Sequence, residues 1–405
     1  MQAHSPAPED VPSPMQTLTT TEELAAFCAR AAQSPYVTID TEFLRERSYY
    51  ARLCLLQMAI PGPGGPTEGE AVLVDPIGGD LSMGPFYELL RDETTVKVLH
   101  AARQDLEIFY IEGHTLPRPL FDTQIAAMVC GFGEQVGYET LVRKLARASL
   151  DKTSRFTDWS RRPLSEAQKT YALADVTHLR VIYEDLSRKL AETGRTPWVE
   201  EELGVLTDPA TYVVQPVEAW RRIRTRTTSP RFLAVVQELA RFREEFAQSR
   251  NIPRSRVMKD DALLELASTR PATLDELGRA RLLLREARRG EIADGILAAV
   301  RAAQALPGEA LPKPEPDRGQ MNVNPALAEL LRVLLKSKAE EAGVAQRLIA
   351  SAEELDTLAA GRRDVPALRG WRNELFGADA LRLCNGEIAL SARDGIVRII
   401  PVPAD

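Results

Sequence analysis

The chain has 405 residues, of which 44% are hydrophobic, and a formal net charge of −7. This length predicts two or three domains with ordinary cores, and the negative charge gives no general sign of nucleic-acid binding. The four cysteines form no Cys-x-x-Cys pair and have no histidines at zinc spacing, which argues against disulfides and structural zinc. Apolar runs also fall short of the roughly 20 residues of a membrane helix, so we expect no membrane partner.

The amino-terminal segment, residues 1–15, is rich in proline and acids. It has neither a basic start nor an apolar centre, so it does not resemble a signal peptide, and we expect a cytoplasmic protein. Its composition predicts a disordered tail. Met15 begins the part with regular patterns, which leaves an internal start there open.

A capping-box pattern from Thr20 predicts a first helix, and strand-like runs follow it. These runs are residues 36–40, 53–60, 71–74 and 96–99, with a Pro/Gly-rich turn at 61–66. Strands in succession, followed by strands alternating with helices, predict a mixed sheet flanked by helices.

Two acids, Asp40 and Glu42, end the first of these strands. Side chains two apart on a strand point to the same face, so the two carboxylates should lie together. Paired carboxylates resist ionisation unless a cation sits between them, and oxygen ligands suit Mg²⁺. The alternative is a solvated strand end whose acids form salt bridges.

A third acid, Asp105, follows the run at 96–99 and stands at the start of a helix predicted to begin near Gln104. An acid in the first helical turn is also favoured by the helix dipole alone. Asp122 has a similar position before another helix, and a helix N-cap explains it better than a metal role.

The fourth acid, Asp175, lies in a helix that Ser165 and Glu166 are suited to begin. Tyr171 precedes it by four residues, so both side chains share one face of that helix. A buried tyrosine hydrogen-bonded to a nearby acid is the structural alternative.

Beyond Trp198 the pattern becomes helical. We predict an α/β domain over 16–205, a helical domain over 206–306, a proline-rich linker over 307–323 and a second helical domain with an extension over 324–405. Residues 218–256 contain ten Arg and four Glu. Such a stretch suits a phosphate backbone, although a solvated helical face explains it equally well. Residues 395–401 are β-like, and we expect an edge strand or a segment packed on the helices.

The four acids and Tyr171 together resemble the DEDD exonucleases of the tyrosine subtype. Residues 17–205 resemble ribonuclease D closely, and the helical region is similar to HRDC domains. The matching segments are residues 43–50, 55–57, 74–76, 121–124, 150–153 and 157–159 in the first part, then 251–253 and 271–277, and more weakly 342–351 and 368–375. The resemblance implies an α/β ribonuclease H-like domain followed by all-α HRDC-type domains.

The same resemblance implies a metal-dependent 3′→5′ exoribonuclease that releases nucleoside 5′-monophosphates. Two divalent ions, Mg²⁺ or Mn²⁺, would flank the scissile phosphodiester. Asp40 would bridge both ions, Glu42 and Asp175 would complete the site of the water's metal, and Asp105 would hold the second ion through water. Tyr171 would orient the attacking water, because a free phenol has a pKa near 10.

Substrate contacts are predicted for Gln57, His100 and Lys152, with sheet-edge capping or packing as alternatives for the first two. Arg45 and Arg47 are predicted to be surface residues rather than phosphate ligands. The expected substrate is RNA with a single-stranded 3′ end, such as a transfer RNA precursor, and the expected state is a monomer. Two other functions stay open: a DNA 3′→5′ exonuclease, because no motif identifies a 2′-OH contact, and an inactive RNA-binding scaffold.

Overall fold

A computed structural model describes residues 16–151, 153–155, 157–225, 227, 229–312 and 322–403. They form two compact units. The sheet unit comprises the described residues of Met1–Phe43, Leu53–Asp208 and Ala326–Asp405. The helical unit comprises those of Leu44–Arg52 and Pro209–Pro325. The predicted tail over 1–15 and the middle of the predicted linker, 313–321, lie outside the described residues.

A six-stranded mixed sheet, in the order β1-β4-β3-β2-β5-β6, forms the centre of the sheet unit. Its strands are β1 (Gln16–Leu18), β2 (Tyr36–Leu44), β3 (Arg52–Gly62), β4 (Gly65–Val74), β5 (Val96–Leu99) and β6 (Leu120–Asp122). Strands β3 and β4 are antiparallel, whereas β1–β4, β2–β5 and β5–β6 are parallel pairs. The predicted mixed sheet flanked by helices is therefore confirmed.

The helices of this part of the sheet unit flank that sheet. They are α1 (Thr21–Ala31), α2 (Gly84–Arg91), α3 (Arg103–Gly113), α4 (Thr123–Val129), α5 (Tyr138–Leu141), α6 (Glu166–Thr193) and α7 (Thr196–Leu203). The capping box predicted at Thr20 is present, and a second one at Ser165 starts α6. The Thr38 hydroxyl on β2 donates to the Val176 carbonyl of α6 at 2.8 Å. This bond ties the middle of α6 to the central strand.

The carboxy-terminal segment packs on α7 within the same unit. Its elements are α13 (Pro325–Ala342), α14 (Gln346–Ile349), α15 (Ala352–Ala359), α16 (Gly370–Arg372), α17 (Ala378–Cys384), β7 (Ile388–Arg393) and β8 (Ile396–Pro401). Trp371 stacks on Trp198 with ring centroids 4.6 Å apart. Arg372 forms ion pairs with Glu202 and Glu201. The β-like run at 395–401 pairs with β7 as an antiparallel hairpin.

The helical unit has its own core, built mainly from α8 (Pro230–Ser249), α9 (Arg254–Val257), α10 (Asp260–Thr269), α11 (Leu274–Gly278) and α12 (Gly290–Ala305). Tyr49, from the segment between β2 and β3, is buried in this core. The Tyr49 hydroxyl donates to the buried Glu244 carboxylate, which also forms an ion pair with Arg254. The Asn251 side-chain oxygen accepts the backbone N–H groups of Tyr49 and Tyr50 at 3.1 and 3.0 Å. The Leu44–Arg52 segment is thus fixed inside the helical unit.

Among the described residues, no helix combines the length and apolar character needed to span a membrane.

Candidate active site

Three carboxylates from two elements meet beside the second half of β2. One oxygen each from Asp40, Glu42 and Asp175 lies within 4.8 Å of the other two. Asp40 and Glu42 share the β2 face that also carries Thr38, and Thr38 is bonded to α6, which carries Asp175. The strand alternation that predicted the pairing of Asp40 with Glu42 therefore also directs both side chains toward Asp175.

Asp105 takes a different position from the other three acids. It lies in the first turn of α3, is 7% exposed, and accepts a hydrogen bond from the Thr41 hydroxyl. Thr41 alternates with Asp40 and Glu42 along β2. Asp105 is not part of the close three-carboxylate group found among the described residues. Its charge nevertheless raises the pKa of both Asp40 and Glu42.

Burial and mutual repulsion make these acids hard to ionise. Burial is the largest cause that raises the pKa of Asp40 well above its usual value, with repulsion from Asp175 next. It also raises the pKa of Glu42 to about 9, and the pKa values of Asp105 and Asp175 to about 7. A cation among them would remove this penalty, and the all-oxygen donor set fits a hard divalent ion. The residues therefore suit a metal centre.

In the absence of divalent ions, we expect the free energy of unfolding to fall as pH rises from about 5 to about 9. Because the pKa of Glu42 is raised from 4.5 to about 9 in the folded chain, the unfolded chain loses that proton first. The folded state then binds more protons across this window, so folding weakens as pH rises. Urea unfolding in EDTA at several pH values would measure the slope. Glu42→Gln should flatten it, and a slope of the opposite sign would contradict the prediction.

Tyr171 stands one turn before Asp175 on α6, and its hydroxyl hydrogen-bonds the Asp175 carboxylate. Burial, with repulsion from Asp175, raises the pKa of Tyr171 above its ordinary value. The phenol therefore stays protonated near neutral pH and has a proton to donate. This geometry suits a group that orients a water molecule rather than one that removes its proton.

A cavity of about 290 Å³ adjoins these residues. It is lined by Asp40, His100, Gly137, Tyr138, Glu139, Thr140, Leu150, Arg155, Tyr171, Asp175 and Leu179. The His100 ring lies 5.5 Å from that of Tyr138, and its Nδ1 is 2.9 Å from the Thr123 hydroxyl oxygen. Burial lowers the pKa of His100, so its imidazole is neutral at physiological pH. The cavity thus combines acids, aromatic rings and a basic side chain.

Two of the cavity residues that the sequence reasoning missed act on the candidate acids. The Tyr138 hydroxyl donates to the carbonyl oxygens of Ala174 and Asp175, at 3.0 and 2.8 Å, and so braces α6 where the fourth acid sits. Arg155 lowers the pKa of both Glu42 and Asp175 through its positive charge. Arg155 stands between the ribonuclease D-like segments at 150–153 and 157–159, and that position was the available signal. Tyr138 had none.

The remaining predicted residues have mixed outcomes. Gln57 is fully buried on β3, an interior strand of the sheet, so it caps no sheet edge. Its amide atoms have no hydrogen-bond partner among the described residues, and its substrate contact stays a prediction. Lys152 lies outside the described residues. Asp122 is an N-cap, as predicted, and accepts the Gln124 and Ile125 N–H groups of α4.

Two family descriptions match this chain. Residues 15–191 match the 3′-5′ exonuclease family, which covers every element that carries the candidate site. Residues 232–300 match the HRDC domain family, within the helical unit.

Whole-length relatives agree with these matches. The chain is 61% identical to a ribonuclease D of Jannaschia sp. over 386 residues, covering 95% of this chain and 99% of the relative. It is 48% identical to a ribonuclease D of Granulibacter bethesdensis, covering 96% of this chain and 97% of that relative. Among solved structures, Escherichia coli RNase D, described as an exoribonuclease involved in structured RNA processing, matches with a TM-score of 0.80 at 32% identity. That match covers 92% of this chain and 99% of the other.

Proposed function

The chain belongs to the ribonuclease D family of 3′→5′ exoribonucleases, and we propose that it trims the 3′ extensions of transfer RNA precursors. The DEDD exonuclease fold is metal-dependent. The finer assignment of two ions, Mg²⁺ or Mn²⁺, belongs to this proposal. A monomeric state and a cytoplasmic location remain predictions from the sequence.

The observation that carries the proposal is the convergence of Asp40, Glu42 and Asp175 beside the hydroxyl of Tyr171. Three carboxylates within 4.8 Å would repel one another without a cation. Asp105 stands close enough to influence two of them electrostatically. Such an arrangement serves phosphodiester hydrolysis better than a purely structural role.

In the proposed mechanism, Asp40, Glu42, Asp105 and Asp175 would hold the ions. When bound, the ions would lower the pKa of the attacking water and stabilise charge on the phosphate. Tyr171 keeps its proton and orients the water, while its bond to Asp175 fixes the phenol. Arg155 lines the same cavity and brings a positive charge toward the phosphate. Tyr138 holds the backbone of α6, so that Asp175 keeps its place.

The direct test is digestion of a 5′-labelled transfer RNA precursor that carries a 3′ extension. We expect metal-dependent shortening from the 3′ end that slows at the base-paired stem and stops in EDTA. A matched DNA strand serves as the comparison substrate. Preferential cleavage of the DNA would favour the alternative of a DNA exonuclease, and binding without cleavage of either strand would favour the inactive scaffold.

Tyr171→Phe is expected to lower the rate of nucleotide release by about 100-fold. The substitution removes the hydroxyl that orients the water but leaves the ring in its place on α6. Single-turnover digestion of labelled RNA would measure the rate, and melting of the variant would check the fold. The control is Tyr110→Phe on α3, a tyrosine that does not line the cavity. A Tyr171→Phe rate within about threefold of the parent would remove Tyr171 from the mechanism.

A further inference from the structure

Half of the ten arginines in the stretch at 218–256 form ion pairs. Five of its arginines contact carboxylates within the helical unit. These pairs are Arg221–Glu218, Arg241–Glu238, Arg243–Asp260, Arg250–Glu291 and Arg254–Glu244. Ion pairs therefore occupy half of these arginines, and this stretch is a weaker candidate for RNA than its sequence indicates.

A second group of arginines lies in the segment 279–289, which we call the arginine loop. It contains five Arg and one Glu. Its apolar residues Ala280, Leu283 and Ala287 are buried in the core of the helical unit. The intervening arginines are exposed: Arg279, Arg281, Arg285 and Arg289. The loop therefore has one face fixed in the core and another that presents guanidinium groups to solvent.

Hydrogen bonds hold the backbone of the arginine loop in one shape. The Glu265 carboxylate of α10 accepts the backbone N–H groups of Arg281 and Leu282, both at 2.8 Å. The fifth arginine, Arg288, donates to the carbonyl oxygens of Leu283 and Gly278 at 2.9 to 3.1 Å. Binding to such a surface sacrifices little backbone entropy, since the loop is already ordered.

Within the described part of the chain, the four exposed arginines have no carboxylate within ion-pair distance. This separates them from the five paired arginines in 218–256. Leu282 lies among them and is 56% exposed. Guanidinium groups match phosphate oxygens in a bidentate manner, and an apolar side chain between them can contact an unstacked base.

We propose that the arginine loop is the surface with which the helical unit binds the backbone of single-stranded RNA. The proposal rests on the proposed function, because the RNA is the substrate whose 3′ end the sheet unit degrades. Uncompensated charge, fixed backbone and an exposed apolar side chain occur together in this segment. The partner it fits is a flexible polyanion with accessible bases.

The test compares two triple variants that remove equal charge. The first is Arg279→Gln, Arg281→Gln and Arg285→Gln in the arginine loop. The control is Arg222→Gln, Arg224→Gln and Arg256→Gln, three exposed arginines of the stretch at 218–256. Both are built on Asp40→Asn to prevent cleavage. The dissociation constant for a labelled RNA with a single-stranded 3′ extension is measured by fluorescence anisotropy over a range of salt concentrations.

We expect the loop variant to raise the dissociation constant about tenfold and to flatten its salt dependence by about two in log–log slope, which corresponds to three lost phosphate contacts. The control should change affinity less than threefold. Equal effects of the two variants, or no effect of the loop variant, would overturn the proposal. Failure of the wild-type chain to degrade RNA would instead reject the proposed function. Thermal melting shows whether each variant remains folded.

Discussion

Asp40→Asn is expected to lower the rate of 3′ nucleotide release by about 10³-fold or more while raising the melting temperature of the metal-free protein. Burial raises the pKa of Asp40 well above its usual value, and the charges of Asp175, Asp105 and Glu42 each raise it further. A neutral amide of the same shape cannot supply the negative charge that a divalent ion would need from Asp40. The substitution does, however, remove one acid from a group of acids that repel one another. The folded state of the metal-free protein therefore becomes more stable although activity is lost.

The matched control is Glu192→Gln, an exposed acid near the end of the same helix, α6, that carries Asp175. It removes equal charge without touching the acids, and we expect activity and melting temperature close to those of the parent. Digestion of 5′-labelled RNA and thermal melting in EDTA provide the two measurements. If Asp40→Asn retained a tenth of the activity, or melted lower than the parent, the metal-centre interpretation would fail.

Asp122→Ala is expected to lower the free energy of unfolding by about 3–5 kcal/mol. The Asp122 carboxylate is 2% exposed and accepts four backbone N–H groups. These belong to Ala101, Ala102, Gln124 and Ile125, at 3.1, 2.9, 2.8 and 3.4 Å. One side chain thus joins the start of α4 to the turn between β5 and α3. Alanine leaves these donors buried without a partner.

Urea unfolding measures this loss, with Asp80→Ala as the control because Asp80 is an exposed acid. Asp122→Asn keeps one oxygen acceptor and should lose roughly half as much stability as Asp122→Ala. A destabilisation by Asp122→Ala below about 1 kcal/mol would contradict the prediction. Activity is expected to fall only in proportion to unfolding, which distinguishes this structural acid from Asp40.

Much of the fold follows from local patterns. The predicted strands at 36–40 and 53–60 lie within β2 and β3, and the predicted run at 96–99 is β5 itself. Strands β1 and β6 were missed because each has three residues, too few for a periodic pattern. The predicted turn at 61–66 was too long, since β3 and β4 continue until Gly62 pairs with Gly65.

The candidate site was predictable where one element sets the spacing. Strand alternation places Asp40 with Glu42, and helical spacing places Tyr171 beside Asp175. The bond between Asp105 and the Thr41 hydroxyl depends on how α3 packs, which no local pattern describes. The ion pairs of the arginines in 218–256 could not be predicted for the same reason. Two of their partners, Asp260 and Glu291, lie outside the stretch whose charge was counted.

The segment between β2 and β3 has a consequence for how the chain is made. Tyr49 bonds to Glu244 and Asn251, which follow it by 195 and 202 residues. During synthesis, residues on both sides of this segment leave the ribosome long before Glu244 and Asn251 have been synthesised. We therefore expect its two tyrosines to remain solvent-exposed on the nascent chain until about residue 258 has emerged, because the core that buries Tyr49 includes Met258. A nuclease fragment ending at residue 208 would keep these two tyrosines exposed permanently, immediately after the strand that carries Asp40 and Glu42.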